Sequence, residues 1–181
     1  MVNIHVFTRC QQFLYCFNNQ YLVLLWPNAV DLNAISEQYN TVSTIGVKVS
    51  TGGNDEYTLF QKIDNDTASA GNILFNGNTL LLVENSTDHR LVTASLVNGD
   101  SLVFNSTLVF SSDNRISFGI DSISADTAEL VCRLGPSFNS DTSRDVNITM
   151  GGLSANTNYY VFKDTETSSI QFTTDGAGKG T

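Results

Sequence analysis

Charged residues, basic residues and cysteines are all scarce in this sequence, and each shortage excludes a class of protein. Charged residues make up only 15% of the chain, and nine Lys and Arg stand against eighteen Asp and Glu. The net charge of −9 leaves no basic footprint for nucleic acid, and it disfavours attraction to an anionic membrane surface. Cys10, Cys16 and Cys132 are odd in number, so at least one thiol is unpaired within the chain, and zinc-ligand spacing is absent.

Long apolar runs and an export signal are also missing. The longest uninterrupted apolar run, Tyr21 to Trp26, is far too short to span a bilayer. Residues 1–26 are broken by polar side chains such as Arg9, and no small-residue cleavage site follows them. The turn that begins at Asp175 has no partner strand after it. We therefore expect a fragment of a longer, exported chain, in which other domains of the parent are its partners.

Catalytic motifs are missing as well. No nucleophile elbow, zinc-protease pair, phosphate-binding loop or dinucleotide fingerprint occurs. His5 lies in a predicted strand, and His89 lies in a polar turn between Asp88 and Arg90. A free-standing enzyme could use only Asp88-His89-Arg90, and a solvated loop is the simpler interpretation of that segment. The sequence therefore predicts no catalytic residue.

What the sequence has instead is a regular succession of short apolar alternations and polar turns. Turn signals recur every eight to twelve residues, which is typical of an antiparallel β-sandwich. We predict hairpin turns at Asn76-Gly77-Asn78 and Asn98-Gly99-Asp100, because Asn-Gly favours a type I′ turn, and a further break at Ser112-Asp113-Asn114. Residues 31–39 are the only candidate helical turn, and could equally be a loop. The predicted domains are a β-sandwich over residues 1–120, with 1–18 uncertain, and a smaller, incomplete β-domain over 121–181.

The C-terminal domain carries a recognisable motif. Leu153, Thr157, Tyr159 and Val161 follow the spacing in which a buried Leu precedes a polar turn and a Tyr opens the next strand. This resembles the tyrosine corner of fibronectin type III and immunoglobulin-like domains, where the Tyr hydroxyl bonds back to the turn backbone. The resemblance implies a fibronectin-like unit, although its length from Ala128 is too short for seven strands.

Exposed aromatic rings are candidates for sugar binding, since they can stack on apolar sugar faces. Tyr160, Trp26 and Tyr57 are the residues that we select, although core packing is favoured for Trp26. Tyr160 follows the corner Tyr159 and should point to the opposite face of its strand.

Glycosylation and calcium binding are the remaining expectations. Four Asn-x-Thr sequons mark glycosylation sites if the chain is exported, namely Asn65, Asn85, Asn105 and Asn147. Asp64 and Asp66 offer oxygen ligands to calcium, which is the one cofactor that the sequence suggests. The EF-hand pattern is not satisfied, because Ala68 occupies its fifth position, and a metal-free polar turn is the alternative.

The order of the apolar segments resembles a known family over residues 19–120. The run LVLLWP at residues 22–27, a hairpin over 45–60 and the segment VNGDSLVFNSTLVFSSDNRISF at 97–118 are similar to the C-terminal β-sandwich region of heparinase II/III-type polysaccharide lyases. The resemblance implies the non-catalytic tail of a secreted or cell-surface carbohydrate-processing enzyme, which supports a catalytic domain or binds polysaccharide. Catalytic residues of that family cannot be carried onto this chain. The alternative is a structural or adhesive cell-surface protein built from β-sandwich modules.

Overall fold

The computed structural model of the chain is an all-β structure. It describes residues 11–17, 20–26, 35–64, 66–123, 128–134, 146–162 and 169–181, and these residues form strands and turns but no helix. The strands are β1 (Gln11–Phe17), β2 (Gln20–Trp26), β3 (Ile35–Asn40), β4 (Thr44–Thr51), β5 (Asn54–Gln61), β6 (Ala68–Ala70), β7 (Ile73–Asn85), β8 (Leu91–Phe104), β9 (Thr107–Ile123), β10 (Ala128–Leu134), β11 (Ile148–Met150), β12 (Asn158–Phe162) and β13 (Ser169–Thr173).

One antiparallel sheet contains most of these strands. Its order is β10-β9-β8-β7-β5-β4-β3, with β11 added beside β9 and β6 added beside β7. Two hairpins, β1-β2 and β12-β13, form separate two-stranded sheets. Burial alternates along several strands of the large sheet, as in β5, where Asp55, Tyr57 and Leu59 are buried between partly exposed neighbours. The prediction of an all-β, antiparallel β-sandwich fold is confirmed.

The three longest strands, β7, β8 and β9, each pair with neighbours in two parts of the sheet. Residues 73–75 of β7 pair with β6 and with the end of β8, whereas residues 79–84 pair with β5 and with the start of β8. In β9, residues 110–112 pair with β11 and residues 116–123 pair with β10. The large sheet therefore consists of two halves that share the same three strands.

The two halves face each other because these strands bend. Phe110 and Phe118 are eight residues apart on β9, and a straight strand would separate them by about 27 Å. Their rings instead stack with centroids 3.9 Å apart and planes at 15°. Both are fully buried, so the stacked pair joins the inner faces of the two halves. The surrounding core draws on both halves and includes Ile73, Phe75, Leu80, Leu82, Leu96, Leu102, Ile116 and Ile120.

The predicted turns at 76–78, 98–100 and 112–114 are wrong, because β7, β8 and β9 continue through them. Register shifts fall at Asn76/Gly77 and on both sides of Gly99, where the strands bend. A Cβ atom on Gly77 would lie 2.6 Å from Leu96 Cδ1, and one on Gly99 would lie 2.4 Å from the Asn76 carbonyl oxygen. These glycines permit close contact between adjacent strands at a bulge, which is the other common use of glycine in a sheet.

Polar side chains from two of these segments meet Arg115 and Gln61 where the strands bend. The Arg115 Nη2 group donates to Asn76 Oδ1 over 2.8 Å and to Gln61 Oε1 over 3.3 Å. Asn76 Nδ2 donates to Asp100 Oδ2 over 3.2 Å, and the Gly77 amide donates to Gln61 Oε1 over 3.1 Å. Asn76 and Asp100, which belong to two of the predicted turns, thus bond to each other at the bend, and Asn76 also accepts from Arg115.

The strands also bear on the predicted helical turn at residues 31–39 and on the predicted domain division. The helical alternative for residues 31–39 is wrong over 35–39, which lie in β3, while residues 31–34 lie outside the described part of the chain. The predicted domain division after residue 120 falls within β9, and the later strands β10 and β11 both pair with β9. The division into two domains stays a prediction.

The C-terminal segment contains the predicted tyrosine-corner hydrogen bond. The Ser154 amide donates to the Tyr159 hydroxyl over 3.0 Å. Met150 and Gly180 exchange two backbone hydrogen bonds of 2.9 Å, and the Gly151 amide donates to the Val109 carbonyl over 3.2 Å. These bonds hold the chain around the corner against β9 of the large sheet.

Candidate functional site

The outer face of the β12-β13 hairpin is the strongest candidate for a binding surface. In its register Asn158 pairs with Thr173, and Tyr160 pairs with Gln171. Because side chains alternate along a strand, these four residues share one face of the hairpin. We call this surface, formed by Asn158, Tyr160, Gln171 and Thr173, the Tyr160 face.

Every residue of the Tyr160 face is exposed, and Tyr160 retains 57% of its accessible surface. The Thr173 hydroxyl donates to Asn158 Oδ1 over 2.7 Å, which fixes the side chains of that pair relative to each other. The surface therefore presents one aromatic ring beside amide and hydroxyl groups that can each donate and accept hydrogen bonds.

The opposite face of the hairpin is anchored. The rings of Tyr159 and Phe172 stack there with centroids 5.7 Å apart. The buried Thr174 hydroxyl donates to the Ser154 carbonyl over 2.6 Å and accepts from the Thr157 amide over 2.9 Å. With its neighbour Tyr159 held in the corner, Tyr160 must point outward, as the sequence predicted.

This combination suits a flat polar ligand with apolar patches. A tyrosine ring provides a large apolar surface that loses little conformational freedom on binding. Amides and hydroxyls around it replace the water bonded to ligand hydroxyl groups, without the cost of burying a charge. Sugars match this description, since their hydroxyl groups surround apolar C–H faces.

The other two predicted sugar-binding aromatics are not part of this surface. Trp26 is the last residue of β2, where its backbone pairs with Gln11 in a separate hairpin. Tyr57 was expected among exposed rings, and the structure corrects this, because Tyr57 is only 6% exposed. It lies with Asp55 and Leu59 on the inner side of β5.

Tyr57 instead belongs to a buried polar cluster that the sequence did not predict. Its hydroxyl donates to Glu84 Oε2 over 3.0 Å, and His89 Nδ1 lies 2.5 Å from Glu84 Oε1. Glu84 itself is 2% exposed. Burial, followed by the hydrogen bond to Glu84, raises the pKa of the Tyr57 hydroxyl, which therefore stays a donor. The burial of Glu84 could have been predicted from the sequence, because Glu84 continues the inward alternation of Leu80 and Leu82 along β7.

Charges at the edge of this cluster are paired. Lys48 Nζ lies 3.5 Å from Asp55 Oδ2 and 3.7 Å from Glu37 Oε2, and it stands 5.8 Å from the centre of the Tyr57 ring. His89 was predicted in a solvated loop, and its side chain is indeed largely exposed, although it contacts Glu84. The Asp88-His89-Arg90 segment holds a weak ion pair, with Arg90 Nε 3.9 Å from Asp88 Oδ2.

The predicted calcium ligands lie in an exposed loop. Asp64 and Asp66 are both exposed, and Asp66 Oδ1 accepts from the Thr67 amide over 2.8 Å. Across the described residues, no group of three or more His, Cys, Asp or Glu side chains is arranged to hold a metal ion. Calcium binding stays a prediction.

Three of the predicted glycosylation sites can be placed, while Asn65 lies outside the described residues. Asn85 Oδ1 accepts from the amides of the two residues that follow Ser86. Asn105 Nδ2 donates to the His89 carbonyl over 3.0 Å, and Asn147 Nδ2 donates to Asp113 Oδ2 over 2.8 Å. Asn105 and Asn147 are exposed at loops, where a glycan would extend into solvent.

No protein-family model matches the sequence, and no curated protein matches it significantly. The resemblances to heparinase-type lyases and to fibronectin type III domains therefore stay expectations. In the part of the chain that the structure describes, no helix has the length and apolar character needed to cross a membrane.

Proposed function

We propose that this chain is a non-catalytic β-sandwich module that binds carbohydrate through the Tyr160 face. The observation that carries the proposal is the exposed Tyr160 ring, held outward by the tyrosine corner and surrounded by Asn158, Gln171 and Thr173. A functional surface of this kind fits an extracellular or cell-surface protein, in which other domains of a longer chain, such as a heparinase-like lyase, supply catalysis.

The test is a glycan-binding assay on the whole chain with two substitutions of the same residue. Tyr160→Ala removes the ring, and we expect affinity to fall by about tenfold or more, which is the loss of a stacking interaction worth at least ~1.4 kcal/mol. Tyr160→Phe keeps the ring and removes the hydroxyl, so it should retain most of the affinity. Both variants should unfold at the same denaturant concentration as the parent, because the side chain is exposed.

Two results would contradict the proposal. If the parent chain, shown to be folded, binds no glycan, then the adhesive or structural role becomes the better interpretation. The backbone bonds between Met150 and Gly180, which fasten the C-terminal hairpin to the large sheet, would suit such a spacer. If glycans bind but Tyr160→Ala binds equally well, the site lies elsewhere on the molecule.

A further inference from the structure

We infer that the Tyr160 face selects neutral glycans over acidic ones. This inference rests on the proposed function and adds the class of glycan. It differs from the expectation that the heparinase resemblance gives, since lyases of that type act on acidic polysaccharides.

The Tyr160 face itself carries no ionised group. Asn158, Gln171 and Thr173 bind through neutral amides and a hydroxyl, and Tyr160 through its ring and phenol. Recognition of a carboxylate or sulfate normally uses Arg or Lys, whose charge-assisted hydrogen bonds are about twice as strong as neutral ones. The surface thus lacks the groups that would recognise an acidic sugar.

Most cations elsewhere in the described residues are paired or hydrogen-bonded. Lys48 is paired with Asp55 and Glu37, and the Arg115 guanidinium bonds to Asn76 and Gln61 at the strand bends. Further examples are Lys62, which donates to Asn40 and to the Thr41 carbonyl, and Arg90, which lies beside Asp88. Lys179, six residues after Thr173, is exposed beside Asp175, and its charge contributes to lowering the pKa of that carboxyl group.

The electrostatic field of the whole chain also disfavours acidic glycans. A net charge of −9 repels a polyanion, and at low salt this repulsion extends over the Debye length of about 10 Å at 0.1 M. A neutral glycan experiences no such penalty. Its binding should therefore depend little on salt, because stacking and neutral hydrogen bonds are not screened.

The dimensions of the face also suit a short stretch of sugar chain. Adjacent strands lie about 4.8 Å apart, and residues two apart on one strand lie about 7 Å apart. Tyr160 and Gln171 therefore form one row across the hairpin, and Asn158 and Thr173 form the next. A ligand that stacks on the ring can reach the second row with its neighbouring sugar.

The experiment compares neutral β-glucans and galactomannan with hyaluronan and heparin by isothermal titration at about 0.1 M and 1 M salt, where the Debye length falls from about 10 Å to about 3 Å. We expect binding to a neutral glycan, a change of less than about twofold between the two salt concentrations, and loss with Tyr160→Ala. Gln171→Lys, which places a cation beside Tyr160, should create affinity for hyaluronan or heparin that is lost at high salt. Asn78→Lys is the matched control, because it makes the same charge change at an exposed residue of β7.

The outcomes separate the two proposals. Tyr160-dependent binding to acidic glycans in preference to neutral ones would overturn the selectivity and leave the carbohydrate-binding function intact. Absence of binding to both classes would overturn both. An equal gain in acidic binding from Gln171→Lys and Asn78→Lys would also overturn the inference, because it would show that overall charge rather than the Tyr160 face decides the preference.

Discussion

Gly99→Ala is the substitution that most directly tests the bent strands. Gly99 is buried at the bend of β8, between the two register shifts with β9. A Cβ atom there would lie 2.4 Å from the Asn76 carbonyl oxygen and 2.6 Å from Leu96 Cδ2. Neither neighbour can retreat easily, since Leu96 is fully buried and Asn76 belongs to the Arg115 network.

The expected cost follows from these contacts. Adding a methyl group to a filled site costs about 1–3 kcal/mol, and loosening one hydrogen bond of the Asn76 network adds about 1 kcal/mol. The free energy of unfolding should therefore fall by about 2–4 kcal/mol. With an m-value of about 2 kcal/mol per molar urea, the midpoint of urea unfolding should fall by about 1–2 M.

Gly176→Ala is the matched control for this measurement. Gly176 lies in the C-terminal turn, and a Cβ atom there would meet nothing within 4 Å. Its substitution should leave stability within about 0.5 kcal/mol of the parent, or raise it slightly by restricting the unfolded chain. If Gly99→Ala proves as harmless as Gly176→Ala, the close approach of β7 and β8 at this point does not exist.

Two further substitutions test the buried cluster and the C-terminal turn. Tyr57→Phe leaves Glu84 Oε2 buried without its donor, so we expect a loss of about 1–3 kcal/mol in urea unfolding, whereas an unchanged midpoint would show that Glu84 reaches water. Hydrogen bonds from the amides of Lys179 and then Ala177 lower the pKa of Asp175, so its stabilising effect is present above its unfolded-state pKa and is lost as pH falls through the folded-state pKa. Asp175→Asn should therefore lose less stability than the parent between about pH 5 and pH 2, and parallel acid-unfolding curves for the two proteins would contradict this reasoning.

Alternation of apolar residues was sufficient to predict the strands, and it failed where one signal has two physical outcomes. Asn-Gly at 76–77 and 98–99 suits a type I′ turn or a bulge, because glycine permits both unusual backbone angles and close contact. The choice between them depends on Leu96 and on the Asn76 carbonyl, which the folded sheet brings against these glycines. No local window of sequence contains that information.

The candidate site was predictable to the extent that it depends on local alternation. Tyr159 and Tyr160 are adjacent, so fixing one in the corner sends the other to the opposite face, and the structure confirms this. The same rule applied to β5 would have placed Tyr57 inward with Leu59. Its partner Glu84 could not be predicted as a pair, because the two residues are 27 apart in sequence and meet only when β5 pairs with β7.

The other three residues of the Tyr160 face could be predicted only in part. Asn158 precedes Tyr160 on the same strand and follows from the period of two. Gln171 and Thr173 depend on the register of β12 with β13, which the sequence did not define because residues 163–168 gave no clear turn signal. A single-residue slip in that register would replace Gln171 by Phe172 beside Tyr160 and would expose the stacking partner of Tyr159 on the outer face. The aromatic pair of Tyr159 and Phe172 therefore fixes both the core of the hairpin and the polar composition of the face that we propose binds glycan.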